Sequence, residues 1–203
     1  LILGMPSTRC HTWLPRILPT FQEENPGIEV QLVEGNGMSL EQMLRKETID
    51  LFFICTLPIL TEDLEFVPFC DEEMTEVVSR EAPIFAGIEL PPNQHGVLQY
   101  VPPKLLERLP FFSATSSQGT YYLSRRLFEM YHIQPEISME LINTTTAYRL
   151  APESKGFALA PVSVTYEEQF HPEPIFCSME EKPTVRTMGL LYKRNRQLSY
   201  GAQ

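Results

Sequence analysis

Apolar residues follow two alternating spacings along the chain. Leu1-Ile2-Leu3-Gly4-Met5 is an unbroken apolar run of strand length, and behind Pro6-Ser7-Thr8 the residues Trp13, Leu14, Ile17, Leu18 and Phe21 recur at helical spacing. The pattern predicts a buried strand, then a helix reaching Phe21 with Ser7 or Thr8 as its N-cap. Asn25-Pro26-Gly27 stops that helix. Ile28, Val30 and Leu32 alternate with Glu29 and Gln31, which predicts a strand with one wet face. Glu34-Gly35-Asn36-Gly37 then turns the chain, and Ser39 is placed to cap a helix whose inner face is Leu40, Met43 and Leu44. Asp50-Leu51-Phe52-Phe53-Ile54 is a continuous apolar run, as expected of a central parallel strand buried on both faces.

The same order returns later in the chain. Leu3, Met5, Ser7, Thr8, Leu14, Arg16, Leu18, Pro26, Ile28 and Leu32 recur 109 residues on as Phe112, Ala114, Ser116, Ser117, Leu123, Arg125, Leu127, Pro135, Ile137 and Leu141. A spacing held over roughly thirty residues argues for two copies of one βαβ unit. The second copy predicts a strand at 111–115, a turn at 116–120, a helix at 121–132, a strand at 137–142, a short helix at 144–152 and a third strand at 156–161. The helical spacing of Tyr121, Tyr122, Phe128 and Tyr131 reads mostly as core. Between the copies, 64–79 reads as two short strands in tandem, and the proline-rich stretch 82–111 reads as irregular covering with a helix near Pro103 to Leu109. Residues 173–178 and 186–193 resemble the earlier tandem piece. The expectation is an α/β protein of two Rossmann-like lobes joined by two crossing strands, lobe I from 1–72 and 178–203 and lobe II from 73–177.

Composition narrows the function. Hydrophobic content of 43% and charged content of 21% are ordinary for a globular chain, and no apolar run reaches the roughly eighteen residues of a membrane span. The net charge of −10 argues against this segment gripping a nucleic-acid backbone, which needs clustered Lys and Arg. Cys10, Cys55, Cys70 and Cys177 have no CxxC spacing, and His11, His95, His132 and His171 are isolated, so neither a disulfide scaffold nor a metal site is expected. A reduced, cytoplasmic setting fits that cysteine usage. The chain starts without Met on an apparent core strand and lacks a signal-peptide pattern, which reads as an excised domain.

In open parallel sheets ligands sit where strands end and helices begin. Those turns here are Pro6-Ser7-Thr8, Gly35-Asn36, Ser116-Ser117 and Asn143-Thr144. Hydroxyls, amides and backbone N–H groups at helix starts attract an anion, so a small carboxylate is the expected ligand; the competing reading is that these residues only cap their helices. No catalytic set stands beside them. Cys10 precedes His11, but adjacent helix positions do not face each other. Asp71-Glu72-Glu73 and Glu180-Glu181 read as solvated surface, Cys10 and Cys55 read as packing, and phosphate-binding glycine loops are absent, so neither an enzyme nor a bound cofactor is expected.

These residues also carry a family resemblance. Gly4 to Thr8 (Gly-x-x-Ser-Thr), Leu14 to Gly27 (Leu-Pro-x-x-Leu-x-x-Phe-x-x-x-Asn-Pro-Gly), Val30 to Gly35 and Ile49 to Ile54 resemble the effector-binding domain of LysR-type transcriptional regulators. Gly156 to Pro161 is similar to that family's Gly-[Ile/Val]-x-x-Leu-Pro ending. The resemblance implies a periplasmic-binding-protein-like (type II) fold and a small effector held at Pro6, Ser7 and Thr8 and at the turns beginning at Gly35, Ser116 and Asn143. It implies a homodimer, tetrameric at full length, and DNA contact only through an N-terminal helix-turn-helix domain outside this chain. Glu47 and Ser154 stand where members of the family usually have Gly, which implies differently shaped turns. A solute-binding protein of a transporter shares that fold and is the competing function; a two-lobed enzyme of the porphobilinogen-deaminase kind lacks a catalytic set here.

Overall fold

The computed structural model describes residues 1–55, 61–166 and 170–194. The chain divides into two compact units, Leu1–Asp71 with Arg186–Gln203 and Glu72–Val185. Among the described residues no helix is long and apolar enough to cross a membrane.

In the first unit, β1 (Ile2–Pro6) runs directly into α1 (Ser7–Thr12), and α2 (Leu14–Glu24) follows after Trp13. The single helix expected through Phe21 is therefore two. Pro15 sits in the first turn of α2, where its missing N–H does no harm, but it cannot continue the ladder of a helix arriving from Ser7. Next come β2 (Gln31–Gly35), α3 (Gly37–Arg45) and β3 (Leu51–Ile54). β1 pairs in parallel with β2 and β3. β2 begins at Gln31, so Ile28 and Val30 fall in the lead-in to the strand.

β4 (Leu64–Ser79) is one strand of 16 residues, not two, and it carries the chain into the second unit. β10 (Val185–Lys193) brings it back and pairs antiparallel with β3, on the side away from β1. The first half of β4 lies against β10: a Cβ on Gly189 would stand 2.4 Å from the Val67 carbonyl oxygen and 2.3 Å from the Phe66 ring. Two apolar layers cover this sheet. Leu40 and Leu44 of α3 pack with Ile49, Phe52, Ile54, Leu64 and Leu191, and Met5, Cys10, Phe53 and Met188 pack on the other face. Cys55 and Cys70 join that second layer, so Cys10 and Cys55 do pack as expected.

The second unit repeats the plan. β6 (Phe111–Ala114), α5 (Gly119–Met130), β7 (Ile137–Leu141), α6 (Thr144–Glu153) and β8 (Phe157–Pro161) give β6 flanked in parallel by β7 and β8, as β1 is by β2 and β3. The second half of β4 pairs antiparallel with β8 and with β9 (Pro174–Ser178), and the two-residue β5 (Gln99–Tyr100) adds to β9. The stretch after β4 holds a 3₁₀ turn at Pro83–Phe85 and the short α4 (Pro103–Leu106). Strand residues alternate between two cores. Met74, Val78, Phe111, Phe157, Leu159, Ile175 and Cys177 meet Leu127 and Phe128 of α5, while Val77, Phe112, Ala158, Ala160 and Phe176 meet Ala147, Tyr148 and Ala151 of α6. On α5 the expectation of a core face holds for Phe128 but not for Tyr122, which is exposed.

Gly189→Ala should destabilise the chain by about 1–3 kcal/mol, the usual range for overpacking, because backbone as well as ring opposes the new methyl group. Chemical denaturation measures it, and an unchanged midpoint would mean that β4 and β10 are not packed as described.

Candidate functional site

In the first unit the register of β1 with β2 sets Pro6 opposite Gly35, so the turn into α1 and the turn into α3 are neighbours. Pro6 is the N-cap of α1 and provides no side-chain cap. Ser7 and Thr8 are the first helical residues, both half-buried, because β1 runs into α1 with no residue between. The expectation that one of them caps the helix is thus not met. Asn36 is the N-cap of α3: its Oδ1 accepts the Ser39 N–H at 2.9 Å, and Ser39 Oγ donates to the Asn36 carbonyl at 3.0 Å. Asn36, not Ser39, is the cap, since the helix starts at Gly37. Gly35 sits tightly here, for a Cβ would stand 2.8 Å from Ser39 Oγ.

In the second unit Ala114 pairs with Leu141, again bringing two turns together. The Thr115 N–H donates to the Leu141 carbonyl at 3.1 Å, and Thr115 and Ser117 share a hydroxyl contact of 2.9 Å. Gln118 is the N-cap of α5, yet its side chain caps nothing: its Nε2 donates across to the Ile142 carbonyl at 2.7 Å. That bond ties the Ser116-Ser117 turn to the start of α6. There Asn143 caps, its Oδ1 accepting the Thr145 N–H at 2.8 Å. Ser116 and Asn143 are exposed; Ser117 and Thr144 are half-buried.

The four turns are therefore of two kinds. At Asn36 and Asn143 the side-chain oxygen is committed to a cap, and the capping reading holds. At Ser7-Thr8 and Ser116-Ser117 the N-cap residues Pro6 and Gln118 give no side-chain cap, so hydroxyl groups stand at helix starts that are not capped by a side chain, with the Tyr121 N–H of α5 donating to the Gln118 carbonyl at 3.2 Å. Such a turn accepts a carboxylate oxygen. Sequence reasoning passed over Gln118, although the 109-residue repeat sets it opposite Arg9. It also passed over Arg9 itself, which is buried with its guanidinium over the Trp13 ring at 5.8 Å; Trp13 in turn packs edge-on against Phe53.

Burial, with the charge of Glu34 adding to it, pushes the Cys10 thiol up to about 11, far from a reactive thiolate. Among the described residues no three His, Cys, Asp or Glu side chains are grouped to hold a metal ion. The acidic stretches differ from expectation. Glu72 is buried, and Glu180 accepts the Tyr131 hydroxyl at 2.7 Å and the Thr184 hydroxyl. Only part of each stretch is solvated surface: Asp71, Glu73 and Glu181 are exposed, Glu72 is buried within β4 and Glu180 is half-buried.

A family model described as LysR substrate binding domain matches residues 1–203. The chain is 27% identical over 210 residues to the uncharacterized HTH-type transcriptional regulator YcgK of Bacillus subtilis (strain 168), covering 100% of this chain and 64% of that protein. It thus spans less than two thirds of that relative's length. The effector binding domain of QuiR in complex with shikimate aligns with a TM-score of 0.81 at 20% identity, covering 100% of this chain and 90% of that one. The Synechocystis PCC6803 CcmR regulatory domain in complex with 2-PG aligns with a TM-score of 0.80 at 23% identity, covering 100% and 91%. The fold is the type II periplasmic-binding-protein-like fold.

The two kinds of turn separate in denaturation experiments. Asn36→Ala and Asn143→Ala should each cost about 1 kcal/mol of stability, as lost N-caps do. Ser7→Ala and Ser116→Ala should stay within about 0.5 kcal/mol, as substitutions away from such features do. The reverse order would show that the serines, not the asparagines, cap these helices.

Proposed function

The chain belongs to the LysR substrate-binding domain family, and on that premise we propose that its effector is a small carboxylate held by the hydroxyls and N–H groups of Ser7, Thr8, Ser116 and Ser117. Pro6, Gly35, Asn36, Asn143 and Thr144 shape the turns beside them. The observation that carries this reading is the absence of a side-chain cap at the two serine turns, each set against a neighbouring turn that is capped. Shikimate, named with the QuiR domain, carries a carboxylate and lends the ligand class support. The competing solute-binding role is not favoured: the family model and YcgK both point to regulators. Neither catalysis nor a cofactor forms part of the proposal.

In the whole protein this domain works in the cytoplasm, and DNA is bound only through an N-terminal helix-turn-helix domain. The charge of −10 accords with leaving DNA contact to another domain. The regulator assembles as a homodimer, and as a tetramer at full length. Support comes from α2, on which Ile17 is 50% exposed and Leu18 and Phe21 are only half-buried, and from Tyr122 and Met130 of α5, 59% and 50% exposed. Apolar faces left uncovered on a single chain suit a self-complementary twofold contact. Light scattering should give a dimer that Ile17→Asp weakens. A monomer at concentrations up to about millimolar would refute it, since a contact of even that affinity is worth about 4 kcal/mol.

A thermal-shift screen of small carboxylates, starting with shikimate and benzoate, supplies the ligand for calorimetry. Hydrogen bonds to a charged group contribute about 1.5–3 kcal/mol each, so Ser7→Ala and Ser116→Ala should each weaken binding roughly tenfold or more. Unchanged affinity in both variants would place the site elsewhere.

A further inference from the structure

The last backbone rung between β6 and β7 runs from the Thr115 N–H to the Leu141 carbonyl at 3.1 Å. Past it the two chains leave for α5 and α6, and the link is made by a side chain: Gln118 Nε2 donates to the Ile142 carbonyl at 2.7 Å. The main chain of Gln118 is engaged as well. Its N–H donates to the Thr115 carbonyl at 3.0 Å, which closes the turn 115–118, and its carbonyl accepts the Tyr121 N–H at 3.2 Å. One residue thus ties together the turn, the start of α5 and the end of the neighbouring strand. Inside the turn Ser117 shares its hydroxyl with Thr115 at 2.9 Å, while Ser116 is exposed and its hydroxyl meets no partner among the described residues.

Gln118 departs from what its position favours. Its backbone is extended, φ −116° and ψ 140°, as an N-cap requires, and Asn, Ser or Asp there would accept a first-turn N–H. An amide one methylene shorter, however, falls roughly 1.5 Å short of Ile142, beyond hydrogen-bond distance. Glutamate has the reach and no N–H to offer. Gln118 leaves the helix uncapped and holds Ile142 instead. Its bond is open to water, so it adds little to folding, and its effect is to fix the turn in place. On the other side Asn143 caps α6 through the Thr145 N–H, so that turn is held by its own helix.

We propose that Gln118 is a positioning residue of the effector site: its amide sets the Ser116-Ser117 turn against the Asn143-Thr144 turn, so that Ser116 meets the carboxylate already in place. This role rests on the carboxylate reading of the turns. A preset group costs a ligand no ordering on binding, whereas a loose turn must be ordered by the ligand itself. Releasing one hydrogen bond of this kind shifts the balance between placed and displaced turn by about fivefold at most, which bounds the loss of affinity. A purely structural role would lower stability and leave affinity alone, or lower both together.

The test sets wild type beside Gln118→Asn and Ser116→Ala. Stability is read by chemical denaturation, and binding by NMR titration with acetate, a carboxylate and nothing more, at constant ionic strength, followed at the amides of Ser116, Ser117 and Thr145. Gln118→Asn should keep or raise the denaturation midpoint, since it gains a cap, and weaken acetate binding about threefold to fivefold. Ser116→Ala should weaken it about tenfold. Gln118→Met, which has the reach without the donor, should bind as weakly as Gln118→Asn. Wild-type affinity in both Gln118 variants would overturn the positioning role, as would a Gln118→Asn protein that loses stability along with affinity. If Ser116→Ala also binds acetate as wild type does, or wild type gives no saturable shift at these amides, the carboxylate reading itself fails and the positioning role falls with it.

Discussion

The parallel pairing of β1 with β2, repeated in β6 with β7, is the constraint on which the other features depend. Two parallel neighbours cannot be joined by a tight turn, so each pair demands a helical crossover that packs back on the sheet. The crossover places a helix start at the carboxyl end of every strand. Because Pro6 faces Gly35 and Ala114 faces Leu141, the turns at those ends come in adjacent pairs. Helix starts expose N–H groups that have no partner inside the helix. A parallel sheet therefore creates hydrogen-bond donors at one edge, and what the sequence decides is which of them to satisfy internally.

That decision is visible turn by turn. Asn36 and Asn143 have short side chains on extended backbone and reach back to the third and second amide after them. Pro6 has no polar group to offer, and Gln118 sends its amide to Ile142. The residue classes at all four turns were legible from the sequence, but the division between capped and uncapped turns was not. It rests on one-residue differences in where a strand stops and a helix starts, and Ser7 misses the N-cap position by a single residue. The glycine-like positions behave similarly. Glu47 takes the left-handed backbone, φ 60°, that glycine favours, with its carboxylate 2.5 Å from Lys193 Nζ. In the other turn the left-handed residue is Lys155, one beyond Ser154.

What read clearly from sequence were the elements buried on two sides. Leu51–Ile54 and Phe157–Pro161 are strands because no other element of that length hides so continuous an apolar run, and the 109-residue repeat fixed their order. Elements with a free side read less well. The polar run Asp71-Glu72-Glu73 separates two apolar pieces in 64–79, yet one strand passes through it, and Pro68 is tolerated because the first half of β4 lies at a sheet edge within its unit. In α2 the amphipathic pattern was right, but nothing in the pattern says whether the apolar face is covered by the same chain.

Glu76 is the opposite case, a residue whose surroundings could not be inferred locally. Met74-Thr75-Glu76-Val77-Val78 puts one polar residue on each face of the strand, and both faces are buried: Thr75 donates to the Cys177 carbonyl at 2.8 Å and Glu76 meets α5. An ionised carboxylate placed there would bear a large desolvation cost, so the fold accommodates it as a neutral acid. The Thr75 hydroxyl keeps its hydrogen bond at any pH, whereas burial pushes the Glu76 carboxyl up to about 8. A polar group retained in an apolar row under that condition conflicts with the local pattern, and such conflicts gather where a protein has more to do than fold.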